Sequence, residues 1–254
     1  MSALLEARGL RVTYGGVVAV EGLDLTVPEG SVVGLIGPNG AGKTSAIDAL
    51  TGYHPAAAGS VLFDGNDITR LRPHWRARAG LGRTFQSVEL FDDLTVRENL
   101  QVAADHVGVG RALRDLFGPR RPTPREGVDW ALGLCDLEDE ADQDPRRLSA
   151  GRRKLVGVAR ALAQRPRLVL LDEPAAGLDT DESHELGERL RTMPAAGVSV
   201  LLVDHDMSLV LGVCDEIYVL DFGKLIARGT PAEIRENPAV ISAYLGGAEV
   251  GADA

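Results

Sequence analysis

Aromatic side chains are scarce in this 254-residue chain, at 4%. That scarcity argues against stacking platforms for single-stranded nucleic acid. The formal net charge of −10 argues further against a surface that coats polyanions. Long apolar runs are missing as well: the longest, Leu168 to Leu171 and Val198 to Val203, fall far short of the roughly 20 residues a spanning helix needs. They read as buried strands, so the chain is not expected to cross a membrane itself. Residues Met1 to Arg8 carry no positive stretch followed by an apolar segment, so no secretory signal is read and a cytoplasmic location is expected. Cysteine is nearly absent. Cys135 and Cys214 stand far apart in apolar surroundings without metal-ligand spacing, the pattern of reduced core thiols rather than a disulfide or a metal site. What is present, 44% hydrophobic and 25% charged residues, is the composition of a globular protein long enough to bury a substantial core.

The first segment alternates short strand-like runs with turns: Leu4 to Glu6, Leu10 to Tyr14, Val17 to Val20 and Leu23 to Val27, expected as antiparallel strands. Ser31 to Ile36 is a continuous apolar run, as in a strand covered on both faces. A glycine-rich turn follows, then a predicted helix from Gly42 to Leu50 that Gly52 can terminate. Further buried strands are predicted at Arg167 to Asp172, Val198 to Asp204 and Ile217 to Leu220, with helices at Arg152 to Gln164 and Asp181 to Met193 between them. This alternation implies a parallel α/β sheet with helices on both faces. The stretch from about Ser87 to Arg147 has few strand signals and several helix starts, among them Thr95 with Glu98 and Thr123 with Pro124 and Glu126. Thr230-Pro231 and Asn237-Pro238 each start a short helix near the end.

Gly37-Pro38-Asn39-Gly40-Ala41-Gly42-Lys43-Thr44 fits G-x-x-x-x-G-K-[ST] between a predicted strand and a predicted helix. Glycines let backbone N–H groups turn toward phosphate oxygens, the helix offers its positive end, and Lys43 adds a point charge for the β- and γ-phosphates. The Thr44 hydroxyl is a ligand for Mg²⁺. The strand Leu168 to Leu171 ends in Asp172-Glu173, one carboxylate for the Mg²⁺ shell and a second where an attacking water can be oriented. Glu173 is the candidate catalytic base.

The order of motifs along the chain is specific: Lys43 in the phosphate loop, Gln86 in Arg83-Thr84-Phe85-Gln86, Leu148-Ser149-Ala150-Gly151-Arg152, Asp172-Glu173-Pro174, Gly177-Leu178-Asp179, then Asp204-His205. Over nearly its whole length the chain resembles the ATP-binding subunits of ABC transporters. The resemblance implies a P-loop NTPase (RecA-like) α/β fold, with a parallel sheet core, an N-terminal antiparallel β subdomain and an inserted helical subdomain. Residues 1–86 would hold the β subdomain and the first half of the core, 87–150 the helical insert, 151–235 the second half of the core, and 236–254 a C-terminal helix and tail. It implies ATP and Mg²⁺ as ligands, Tyr14 stacking on adenine, and Gln86 sensing both Mg²⁺ and the membrane partner. His205 would contact the γ-phosphate. Ser149 and Gly151 would meet the ATP held by a second subunit, so that two phosphate loops face two signatures across a dimer, and Asp179 is a further candidate for nucleotide binding.

The signature departs from L-S-G-G-Q at Ala150 and Arg152. Ala150 costs some backbone freedom and Arg152 can add a charge near the γ-phosphate; two readings are open, a weakened site in an asymmetric pair or a tolerated variation. The stretches Gly82 to Gln86, Leu90 to Leu100, Val219 to Thr230 and Asn237 to Gly246 resemble the ATPase subunits of bacterial branched-chain amino-acid importers, and the long insert between Val102 and Arg147 is similar to the larger of the two ATPase subunits in those systems. That would imply a second ATPase subunit as partner in a heterodimer, two transmembrane permease subunits and an external solute-binding protein, with the chain at the cytoplasmic face of the inner membrane and no nucleic acid involved. A lipid or lipopolysaccharide exporter is the nearest rival. An ATPase acting on DNA or ribosomes is opposed by the lack of a long heptad segment, of a tandem second cassette and of basic excess.

Overall fold

The computed structural model describes residues 2–85, 89–104 and 124–249. The N-terminal third begins with two long strands, β1 (Ala3–Tyr14) and β2 (Val17–Pro28), each continuous where the sequence suggests breaks. The reason lies in Gly9 and Gly22, which read as turn residues. Both sit at register shifts of the β1–β2 ladder with φ of 56° and 65°, so each fills a bulge that bends the pair without ending it. With β4 (Ala58–Phe63) and β5 (Asn66–Asp67) they form an antiparallel sheet in the order β2-β1-β4-β5.

The second sheet has the order β10-β9-β3-β8-β7-β6. Its strands are β3 (Val32–Ile36), β6 (Leu81–Arg83), β7 (Leu168–Asp172), β8 (Ser199–Val203), β9 (Glu216–Asp221) and β10 (Lys224–Gly229). All neighbours are parallel except the β9–β10 hairpin. Every residue of β3, β7 and β8 is buried, as uninterrupted apolar strands between two layers must be. Alternate residues serve alternate faces. Val33, Leu35, Leu170 and Val203 pack toward helix α1 (Lys43–Thr51) and the small sheet, while Val32, Ile36, Leu171 and Leu202 pack toward helices on the far side. A fully buried leucine or valine here contributes about 1.5–3 kcal/mol by leaving water.

Helix α1 ends at Gly52 in the left-handed conformation, as its sequence suggests. A second device closes the same end. Arg76 in α2 (Pro73–Ala79) is buried and donates to the carbonyls of Ala49, Leu50, Thr69 and Leu71 at 2.7–3.0 Å, which satisfies orphan acceptors at a helix C-terminus. Burial holds its guanidinium down at about 10.

Helices α3 (Val96–Ala104) and α4 (Pro124–Leu134) lie between β6 and β7 in the chain, and α5 (Ala150–Leu162) packs on both as well as on β7. Thr95 and Glu98 form the expected reciprocal cap; Thr123 lies outside the described residues. Helices α6 (Thr180–Thr192) and α7 (Met207–Val213) cover the far face, and α8 (Pro231–Glu236) and α9 (Pro238–Glu249) close the chain where the two proline signals fall. Cys135 and Cys214 are both buried and unbridged. Among the described residues no helix is long and apolar enough to cross a membrane.

Candidate active site

The parallel ladders bring three strand ends to one edge of the large sheet. Leu35 pairs with Val203, and Val203 with Asp172, so the residues that follow β3, β8 and β7 emerge side by side. Carboxyl ends of parallel strands are where α/β sheets place ligands. The glycine-rich loop leaves β3 there. Gly37 has φ of 154° and no room for a side chain, since a Cβ would stand 2.1 Å from the Leu220 carbonyl oxygen. Gly40 and Gly42, at φ of 80° and 101°, hold conformations that other residues rarely adopt. A Cβ on Gly42 would meet the Ala19 carbonyl oxygen at 2.3 Å. Asn39, Gly40 and Thr44 are exposed, so the crest of the loop and one residue in the first turn of α1 face solvent.

Lys43 is buried, and its Nζ donates to the carbonyls of Gly37 at 2.7 Å and Pro38 at 3.1 Å, which closes the loop on itself. Burial lowers its pKa. The charges of Glu173, Asp172 and Asp204 act in the opposite sense, which places three carboxylates around one ammonium. Asp172 is itself raised by burial, with Arg83 opposing and Glu173 adding to the rise. Arg83 Nη2 stands 3.2 Å from Asp172, while Nη1 reaches Asp48 at 2.6 Å and Thr51 at 3.0 Å. The guanidinium also lies over the rings of Tyr53 and Phe85, at 5.3 and 5.0 Å.

Glu173 follows Asp172 with φ of 48°, an uncommon conformation for a non-glycine residue, fixed by its N–H donating to Val203 O at 2.7 Å. Its carboxylate oxygen lies 4.0 Å from Nδ1 of His205, whose imidazole is 55% exposed; the two attract only when His205 is protonated. Asp204 is fully buried and accepts from the amides of Ala175, His205 and Asp206, tying the end of β8 to the segment after Glu173. Tyr14 is 44% exposed at the β1–β2 hairpin. Its ring lies 4.2 Å from that of His54, which is hydrogen-bonded through Nε2 to Thr13 O at 3.0 Å. A carbonyl only accepts, so Nε2 carries the proton.

Ser149 and Asp179 each cap their own helix, and Gly151 bonds across from α5 to α6. Ser149 is the N-cap of α5, accepting from Arg152 N at 3.3 Å, and Gly151 N donates to Glu182 Oε1 at 2.8 Å. Asp179 is the N-cap of α6 in a reciprocal capping box with Glu182. The Arg152 guanidinium donates to Glu140 at 2.6 Å, to Glu185 at 2.9 Å and to the Asp136 carbonyl. Those partners tie the start of α5 to α6 and to residues 136–140. Gln86 lies outside the described residues. Two contributors escape assignment from sequence, Arg83 and Asp204. Both stand in motifs of the correct order, but their partners are brought to them only by the fold.

A profile of the family described as ABC transporter matches residues 20–176, and one described as branched-chain amino acid ATP-binding cassette transporter matches residues 224–250. The chain is 41% identical to the high-affinity branched-chain amino acid transport ATP-binding protein BraF of Pseudomonas aeruginosa, over 96% of this chain and 98% of that one. It is 38% identical to the corresponding protein LivG of Escherichia coli K12, over the same shares. Among solved structures it superposes on the ADP conformation of an ATP-binding cassette of an ABC transporter with a TM-score of 0.85, at 29% identity, covering 97% of this chain and 100% of that one.

Proposed function

The chain belongs to the ABC transporter family and is an ATP-hydrolysing cassette, and from that premise we infer that it energises an importer of branched-chain or related amino acids. The observation that carries the site reading is the shared edge: Lys43, Asp172, Glu173 and Asp204 converge where β3, β7 and β8 end. Backbone amides from Gly37 to Gly42, with Pro38, Asn39 and Ala41 shaping the turn, hold the phosphates of ATP. Lys43 trades its loop carbonyls for β- and γ-phosphate oxygens. Tyr14, exposed on one side and backed by His54, offers a shelf to the adenine.

The donor set fits Mg²⁺. Thr44 and Asp172 offer two oxygens, the small share that a protein supplies when phosphates and water complete the shell. Among the described residues no cluster of three or more metal-binding side chains competes for that role. When bound, Mg²⁺ neutralises charge on the β- and γ-oxygens; Gln86 is assigned to the same shell on the family resemblance. Glu173 accepts a hydrogen bond from the attacking water and takes its proton as the new P–O bond forms and the bond to ADP breaks. His205 donates to the γ-phosphate.

Ser149 and Gly151, with Asp179, serve the ATP of a second cassette, so the reading requires a pair, most simply a heterodimer, on two permease subunits fed by an external solute-binding protein. The chain then works at the cytoplasmic face of the inner membrane. A groove of about 470 Å³ lined by Tyr53, His74, Phe85 and Arg160 suits a permease segment. The test is Glu173→Gln. It should bind ATP as the parent does and lose on the order of 10²–10⁴ in turnover; near-normal hydrolysis removes Glu173 from the role.

A further inference from the structure

Helix α5 begins with amides that no helical carbonyl can satisfy. One is served by its own N-cap, Arg152 N donating to Ser149 Oγ. Gly151 N is served from elsewhere in the chain: Glu182 Oε1 accepts from it at 2.8 Å across 31 positions of sequence. The side chain lies flat against the glycine, since a Cβ on Gly151 would stand 3.0–3.1 Å from Cβ, Cγ and Cδ of Glu182. The second oxygen, Oε2, accepts from Asp179 N at 3.4 Å in the capping box of α6. One carboxylate therefore bridges the positive ends of two helices, an arrangement that stabilises an anion there.

The capping box of α6 needs only one of those oxygens. The other occupies the donor that, on the reading given above, the signature offers to a neighbour's γ-phosphate. Gly151 has a single N–H, and carboxylate and phosphate repel one another. We propose that Glu182 is a built-in stand-in anion, which satisfies the signature amide while the chain is unpaired and is displaced from it by the γ-phosphate when two cassettes close on ATP. Glu182 then keeps its bond to Asp179 and releases the one to Gly151. The side chain is a positioning residue that sets how much ATP is needed to close the pair.

The proposal rests on the composite site and is tested in the assembled complex, purified with the subunits that accompany the chain, by hydrolysis at graded ATP. Glu182→Gln keeps the shape and one acceptor but removes the charge. Half-saturating ATP should fall roughly threefold to tenfold, the effect of one charge at a helix end, with kcat changed less than about twofold. An unchanged or raised half-saturating concentration overturns the proposal, because a permanent brace would be weakened by the same change. Glu182→Ala, checked by thermal melting for its folding, should shift in the same direction; a rise in half-saturating ATP in the folded variant overturns the proposal too. Ser149→Ala separates the two levels. If it lowers kcat while Glu182→Gln has no effect, the stand-in idea alone fails; if Ser149→Ala hydrolyses like the parent, the composite site fails with it.

Discussion

Replacing Arg83 by methionine keeps an apolar stem of similar length and removes the cation between Asp48 and Asp172. The two carboxylates are not equivalent. Asp48 is 27% exposed and can be rescued by water, so its share is small, whereas Asp172 is 5% exposed and has Glu173 as its neighbour. Breaking a buried pair by removing one partner costs about 3–5 kcal/mol, which for a chain of this size lowers the melting temperature by roughly 6–20 °C. The pH dependence fixes the cause. Burial holds the folded Asp172 carboxyl above its ordinary value, so the fold keeps a proton that the unfolded chain releases. Stability is therefore lost as pH rises through the window between those two values. Without Arg83 the folded value climbs further and the window widens. The loss in Arg83→Met should thus be larger at pH 8 than at pH 5, and should shrink by about 2–3 kcal/mol in an Asp172→Asn background. Thermal and urea melts of the parent, the two single variants and the double variant at both pH values measure this. A loss that is equal at both pH values and undiminished in the Asp172→Asn background would refute the pairing argument.

Two further outcomes are expected. Gly37→Ala forces a Cβ to within 2.1 Å of the Leu220 carbonyl oxygen, so the loop must shift by about an ångström and hydrolysis should fall at least roughly a hundredfold; steady-state ATP hydrolysis near the parental rate would contradict it. Burial pushes the Cys135 thiol up to about 12 and the Cys214 thiol up as well, so neither should react with a disulfide reagent at pH 8 until the chain is denatured. Rapid labelling of the folded protein would sink that expectation.

The parts of the site that are legible in sequence are those whose chemistry is written within a few neighbouring positions. Gly37 to Thr44 carries its own geometry, and Asp172-Glu173 is announced by the apolar strand before it. The N-terminal sheet reads with too many breaks because Gly9 and Gly22 look like turns locally and become bulges only once β1 and β2 pair. Arg83, Gly151 and Arg152 stand in named motifs, yet their partners lie 89, 31 and 33 residues away in Asp172, Glu182 and Glu185. No periodicity encodes such pairings, and the charge on Arg152 reads the same whether it faces a phosphate or Glu185. Gln86 and Thr123 fall outside the described residues.

Phe222 and Gly223 sit in the turn between β9 and β10, and Phe222 is 87% exposed. Such hairpin tips are ordinarily the safest places to lengthen a chain or attach a label. Here the main chain of Gly223 donates to Ala41 O at 3.0 Å and accepts from Glu21 N at 2.8 Å, and a Cβ on Gly223 would meet Ala19 O at 2.7 Å. The turn is thus a three-way clasp of backbone atoms joining the small sheet, the large sheet and the phosphate loop. An insertion there would be transmitted far back along the sequence to the nucleotide site, so a fluorophore or affinity tag belongs elsewhere, and a length change in this innocuous-looking hairpin is a change to the active site.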